Sequence, residues 1–186
     1  MFFVVTYLVA PQQIAVLPKW LQEGNAHRVI KAAQAMIAKD PQNVEAHYYL
    51  GMAYLAQENT PKALEELSLV SQLGVIGRAI PEIAFRQTIA QLFVSCNQPE
   101  EALKEYLLLI QLDPENEEFY YQAGKLFFRR NQVATAKQYF YKASKLNPEN
   151  TWVHGELGYL LYTEQKTVEA KQELEKATNS STYNGQ

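Results

Sequence analysis

Cysteine is almost missing from this chain: Cys96 is the only one in 186 residues. One thiol forms no internal disulfide and no multi-cysteine zinc cluster, and its place near the end of an apolar stretch reads as a buried structural thiol. The three histidines, His27, His47 and His154, show neither His-x3-His nor His-Glu-x2-His spacing, so no metal site is expected. An excess of basic charge is lacking too. Lys and Arg number 17 against 20 Asp and Glu, a formal net charge of -3, which argues against a nucleic-acid partner held by broad phosphate neutralisation. There is no Gly-rich phosphate loop, since Gly74 and Gly77 are too sparse a signal, and no hydrolase nucleophile elbow. The paired carboxylates Glu65-Glu66, Glu100-Glu101 and Glu117-Glu118 fall at helix starts or on solvated faces, where the helix dipole explains those near an N-terminus. No cofactor is expected and no enzyme.

Long apolar runs are equally scarce. Residues 2–10 read Phe-Phe-Val-Val-Thr-Tyr-Leu-Val-Ala, well short of the ~20 residues that span a bilayer. No Lys or Arg precedes Lys19, so the basic start of a secretory signal is absent. Three readings of this segment stay open: an element packed on the rest, the stub of a membrane anchor, or a tail inserted into a groove. The location follows the reading, cytoplasmic or membrane-anchored.

What the chain does contain is a 34-residue echo. Asp113-Pro114-Glu115-Asn116 returns as Asn147-Pro148-Glu149-Asn150, Gly124 returns as Gly158, and Ala102, Ala136 and Ala170 keep the same beat. A fixed period in this range signals stacked helical hairpins, each burying its apolar face only against its neighbours. Five repeats align, at about 10–43, 44–77, 83–116, 117–150 and 151–184, each reading as two helices, A and B. Positions such as 47, 50, 51 and 54 follow i, i+3, i+4, i+7 and share one helical face. Gly51, Ala90, Gly124 and Gly158 let the two helices of a hairpin approach closely. The large residue three further on is expected to fill the space. Pro41, Pro114 and Pro148 end helix B, and Asn43, Asn116 and Asn150 are good N-caps for the next helix A.

The A helices carry His47-x-x-Leu50-Gly51-x-x-Tyr54, Tyr120-x-x-Ala123-Gly124-x-x-Phe127 and His154-x-x-Leu157-Gly158-x-x-Leu161. The B helices carry Ala63-x3-Leu67, Ala102-x3-Tyr106, Ala136-x3-Phe140 and Ala170-x3-Leu174. In these motifs the chain resembles the tetratricopeptide repeat family. The resemblance implies an all-α, right-handed superhelical solenoid of antiparallel helical hairpins, with ten helices and tight turns. His47 and His154, at one point of the repeat, then read as half-buried packing residues. The array would occupy residues 12–178, after an apolar segment at 1–11 and before a polar tail at 179–186. Three departures stand out. The step from Ala63 to Ala102 is five residues too long, which places an insertion at about 78–82; the first repeat, with Pro11, Pro18 and Trp20, is degenerate and reads as a cap. The C-terminal end lacks a solvating helix, so the last B helix is expected to expose apolar surface.

In the family, the concave wall is lined by the helix A face that does not carry the Leu-Gly pair. Carried over position by position, that face holds Tyr48 and Met52, then Gln87 and Gln91, then Tyr121, Lys125 and Phe128 with Arg129 beside them, then Trp152, Tyr159 and Tyr162. Aromatic and Met side chains among polar neighbours are what protein-binding patches favour; ring packing between adjacent repeats, or a self-filled groove, would explain the same list. Lys125 and Arg129 form the basic pair suited to an acidic side chain or phosphate. The carboxylate clamp of chaperone-binding family members needs basic pairs where this chain has Tyr48, Met52, Glu118 and Gln122, or one repeat later Gln87, Gln91, Trp152 and Glu156, so that adaptor role is excluded. Two functions follow: a non-enzymatic scaffold binding a peptide in the groove, or a membrane-tethered or self-associating assembly factor organised through residues 1–10.

Overall fold

The computed structural model describes residues 14–73 and 80–179. The apolar segment 1–11, residues 74–79 of the long step and the tail beyond Asn179 lie outside the described residues. Among those described there are ten α-helices and no strand: α1 (Leu17–Gln22), α2 (Ala26–Ile37), α3 (Val44–Leu55), α4 (Thr60–Leu73), α5 (Glu82–Ser95), α6 (Pro99–Leu112), α7 (Glu117–Arg129), α8 (Val133–Leu146), α9 (Thr151–Thr163) and α10 (Thr167–Asn179). They form two compact units, residues 1–96 and 97–186.

Local chemistry sets the helix ends. The Asn43 side chain accepts the Ala46 amide at 2.9 Å, Asn116 that of Glu118 at 3.2 Å, and Asn150 that of Trp152 at 3.1 Å. Each satisfies an amide donor that the first helical turn leaves unpaired. Within each hairpin the turn passes through the left-handed region, at Gly24 (φ 76°), Glu58 (58°), Asn97 (56°), Asn131 (59°) and Gln165 (62°). After α7, the Asn131 amide donates to the Phe128 carbonyl and the Gln132 amide to that of Phe127; Gln165 and Lys166 do the same onto Tyr162 and Leu161. This is the Schellman ending, which caps the helix and reverses the chain within a few residues.

The glycine positions close the hairpins. A methyl group at Gly51 would lie 2.6 Å from the Leu67 side chain, at Gly124 2.7 Å from the Phe140 ring, and at Gly158 2.6 Å from Leu174. The B-helix residue of the Ala-x3-Leu motif therefore rests on the glycine, rather than the large residue three places beyond it. A second stripe, at i, i+4 and i+7 of helix A, packs toward the preceding B helix. It runs Ala46-Leu50-Ala53 on α3, Phe85-Ile89-Leu92 on α5, Phe119-Ala123-Leu126 on α7 and Val153-Leu157-Leu160 on α9, all buried. In the second unit that last stripe joins Tyr121, Ala136, Phe140 and Ala143 in one apolar cluster. The first unit holds two further clusters, around Leu17, Val29 and Met36 and around Ala33, Leu50 and Tyr54.

Three expectations are corrected by burial. His47 and His154 are buried rather than half-buried, and each is bonded at both ring nitrogens. His47 Nδ1 lies 2.6 Å from Glu66 Oε2 and its Nε2 3.1 Å from the Pro41 carbonyl; His154 meets Glu173 at 2.6 Å and the Pro148 carbonyl at 2.8 Å. Glu66 is thus no solvated carboxylate. Each histidine ties a B helix to the turn that precedes its own A helix. Cys96, read as buried, is half-buried at the end of α5.

Candidate functional site

Helix A faces two ways at once, and on α9 the second face is not needed for packing. On α9 the packing stripe uses 153, 157 and 160, which leaves 152, 159 and 162 on the other side. There Trp152 is 75%, Tyr159 53% and Tyr162 66% exposed. Leaving large apolar surface in water forgoes roughly 1.5–3 kcal/mol per side chain, and α9 does this three times within eleven residues. The Phe128 ring of α7 meets Tyr159 edge to face, with centroids 6.1 Å apart, and so extends the patch onto the neighbouring helix. A surface cavity of ≈ 520 Å³ lies beside it, lined by Thr151, Trp152, Gly155, Glu156 and Ala177. A side chain at Gly155 would meet nothing within 4 Å, so the backbone is open there.

The other residues proposed from the sequence divide into two groups. Tyr121 is buried, packed on Phe140 at 6.0 Å between centroids, with the Lys125 ammonium 5.1 Å from its own ring. Burial, then the Glu156 and Glu118 carboxylates, push its hydroxyl above the ordinary tyrosine range. Tyr121 is consequently a packing residue, and Lys125 is partly engaged on it. Tyr48, in the first unit, is half-buried between Tyr49 and Phe85, at 5.1 and 6.1 Å, and burial raises its hydroxyl too. Tyr48 and Tyr121 occupy the same point of the repeat, as Gln87 does, and on α3 and α7 that phase packs toward the next A helix. Gln87 and Met52 are half-buried, whereas Gln91 and Arg129 are exposed. The second unit therefore gathers Phe128, Arg129, Trp152, Tyr159 and Tyr162 near one face, while the first offers Met52 and Gln91 with no exposed ring among the residues proposed.

Sequence reasoning missed the carboxylates that serve the frame. Glu105, in the middle of α6, is buried. Glu66 and Glu173 clamp the histidines, a pairing visible as the same 19-residue separation from His47 and from His154. Among the described residues no three His, Cys, Asp or Glu side chains converge as a metal site would require. No described helix is long and apolar enough to cross a membrane.

Comparison with known families places this geometry. Tetratricopeptide repeat models match residues 21–73 and 117–150, and a model described as TPR repeat matches residues 90–131. No curated protein matches by sequence. Several solved structures share the fold. YrrB, a TPR protein with an unusual peptide-binding site, has 16% identity and a TM-score of 0.79 over 94% of this chain and 88% of its own. MamA of Desulfovibrio magneticus RS-1 has 16% identity and a TM-score of 0.71, over 94% and 96%. Pseudomonas aeruginosa PilF has 23% identity and a TM-score of 0.62, over 91% and 75%.

Proposed function

Because this chain belongs to the tetratricopeptide repeat family, whose hairpins present surfaces rather than reaction centres, we propose that it is a non-enzymatic protein-interaction scaffold. Its ligand is a peptide segment held on the aromatic face of α7 and α9. Trp152, Tyr159 and Tyr162 are the anchors, Phe128 braces Tyr159, and Arg129 with Lys125 orients an acidic side chain of the ligand. The observation that carries this reading is the exposure of three large rings on the face of α9 that the frame does not use. Rings of this kind dominate binding energy when a partner desolvates them. YrrB, similar in fold, has a peptide-binding site, which supports a peptide as the class of ligand.

The test is capture of partners by the full chain and by Trp152→Ala/Tyr159→Ala. Both side chains are exposed, so the variant is expected to keep its helical circular dichroism and melting temperature. Partners held by the wild type should be lost or weakened at least tenfold, since two hot-spot truncations cost about 2 kcal/mol or more each. Retention of every partner by a folded variant sinks the proposal.

A further inference from the structure

A second cleft lies at α10, sharing only Tyr162 with the aromatic face. Helix α10 packs on α9 through one side. Its other side borders a cleft of ≈ 470 Å³ lined by Tyr162, Ala170, Lys171, Leu174, Glu175 and Thr178. Moved back by one 34-residue period, these places are Phe128, Ala136, Lys137, Phe140, Tyr141 and Ser144. That earlier set is where α9 docks. Phe140 is fully buried under Val153, Leu157 and Leu160, and Lys137 makes an ion pair with Glu164 at the end of α9. One period later Leu174 is 42% exposed. Leu174 still rests on Gly158, so its inner side is spent on the hairpin and its outer side is free. The cleft is thus a copy of an interface this molecule already builds, and among the described residues no helix fills it.

We propose that this cleft docks an amphipathic helix of another protein, with apolar residues at i, i+4 and i+7 and a carboxylate at i+11. The spacing is that of Val153, Leu157, Leu160 and Glu164, the residues by which α9 fills the equivalent place. The carboxylate meets Lys171 as Glu164 meets Lys137. Among the described residues Lys171 is held by its exposed neighbour Glu175 alone, at 3.7 Å, a weak contact that an incoming carboxylate readily displaces. The described residues of a second copy stacked head to tail do not supply this helix. The places at the start of α1 that match Leu50 and Ala53 of the stripe are Val16, just before the helix, and Lys19, and Lys19 puts a charge where the stripe must be apolar. No large hydrophobic side chain of α1 or α2 is exposed to meet the cleft.

The experiment titrates the full chain into a fluorescein-labelled peptide of residues 150–166, which carries the stripe in register, and follows anisotropy. Saturable binding is expected, weakened about tenfold or more by Leu174→Glu, which sets a charge into the apolar contact. Lys171→Glu should weaken it about threefold, with recovery when the peptide carries Glu164→Lys, as for a specific ion pair. The charge swap keeps the test valid if Leu174→Glu disturbs the hairpin. Four results overturn the proposal. One is no saturation up to about 1 mM peptide; another is binding that ignores both cleft variants but fails with Trp152→Ala. Binding that appears only after residues 180–186 are removed assigns the cleft to the chain's own tail. A dimer in sedimentation that the peptide does not dissociate, and that Leu174→Glu abolishes, assigns it to a second copy.

Discussion

At the scale of single residues, the buried polar groups matter most, because each is tied to a partner that loses its bond if the group is removed. His154 spans the Glu173 carboxylate and the Pro148 carbonyl, so His154→Phe strands both acceptors; a loss of roughly 2–4 kcal/mol is expected in urea unfolding. Glu173 adds a pH dependence. Burial alone would raise its carboxyl, but hydrogen bonds from Lys176 and His154, with their charges, outweigh burial and hold it below the ordinary carboxylate range. The folded state therefore binds this proton less readily than the unfolded chain. The stabilisation is present above the ordinary carboxylate pKa and fades as pH falls through the lowered value. Urea midpoints measured from pH 6 to pH 3 should drop less steeply in Glu173→Gln than in the wild type. Tyr106 works at the other end of the scale. Burial, then the Glu118 carboxylate, push its hydroxyl from 10.0 to about 12. Folded protein keeps the proton where unfolded chain releases it, so stability falls as pH rises past 10. Thermal melts between pH 9 and 11.5 should show a shallower decline in Tyr106→Phe.

Elements are governed by two recurring devices, the glycine seat and the left-handed turn. Gly124→Ala drives a methyl group to 2.7 Å from the Phe140 ring; overpacking of this kind costs about 1–3 kcal/mol, and the melting temperature should fall accordingly. Glu58 holds a positive φ with a side chain that does not favour it. Glu58→Gly should relieve about 1–2 kcal/mol of left-handed strain against an entropic cost of about 0.5–1 kcal/mol, a net gain of about 0.5–1 kcal/mol, read as a rise of roughly 1–4 °C. At this scale the sequence was legible. Periodicity placed the hairpins, and Asn43, Asn116 and Asn150 marked three helix starts because their capping chemistry is local. The left-handed turns were not recognised, since Glu58 and Gln165 carry no signal of that conformation. Nor was the division of labour on helix A fully legible. Tyr121 and Tyr159 look alike in the sequence, yet the first is sealed under Lys125 and against Phe140 while the second stands in solvent. Which phase meets a neighbour and which meets water depends on the tilt between successive helices, a property that spacing along one helix does not encode.

For the whole molecule, the chain divides at Cys96 and Asn97 into two units, each with apolar clusters of its own. The aromatic face and the α10 cleft both belong to the second. Expressed alone, residues 97–186 should keep their helical circular dichroism and melt in one cooperative transition; a fragment without such a transition would show that the unit depends on the rest. Net charge sums over every residue, so the composition argues against broad phosphate binding at this scale. It did not reveal that exposed rings concentrate on α9, because composition carries no address.

The one-sided packing of α10 has a kinetic corollary. Among its described residues only Ala170 is buried, so little apolar contact opposes its opening, and local opening sets the rate at which amide hydrogens exchange. Deuterium should enter α10 first and α8 and α9 later, giving the second unit a direction of unravelling. A helix seated in the cleft would reverse that order at α10, and protection gained there would report occupancy even for a partner too weakly held to survive purification.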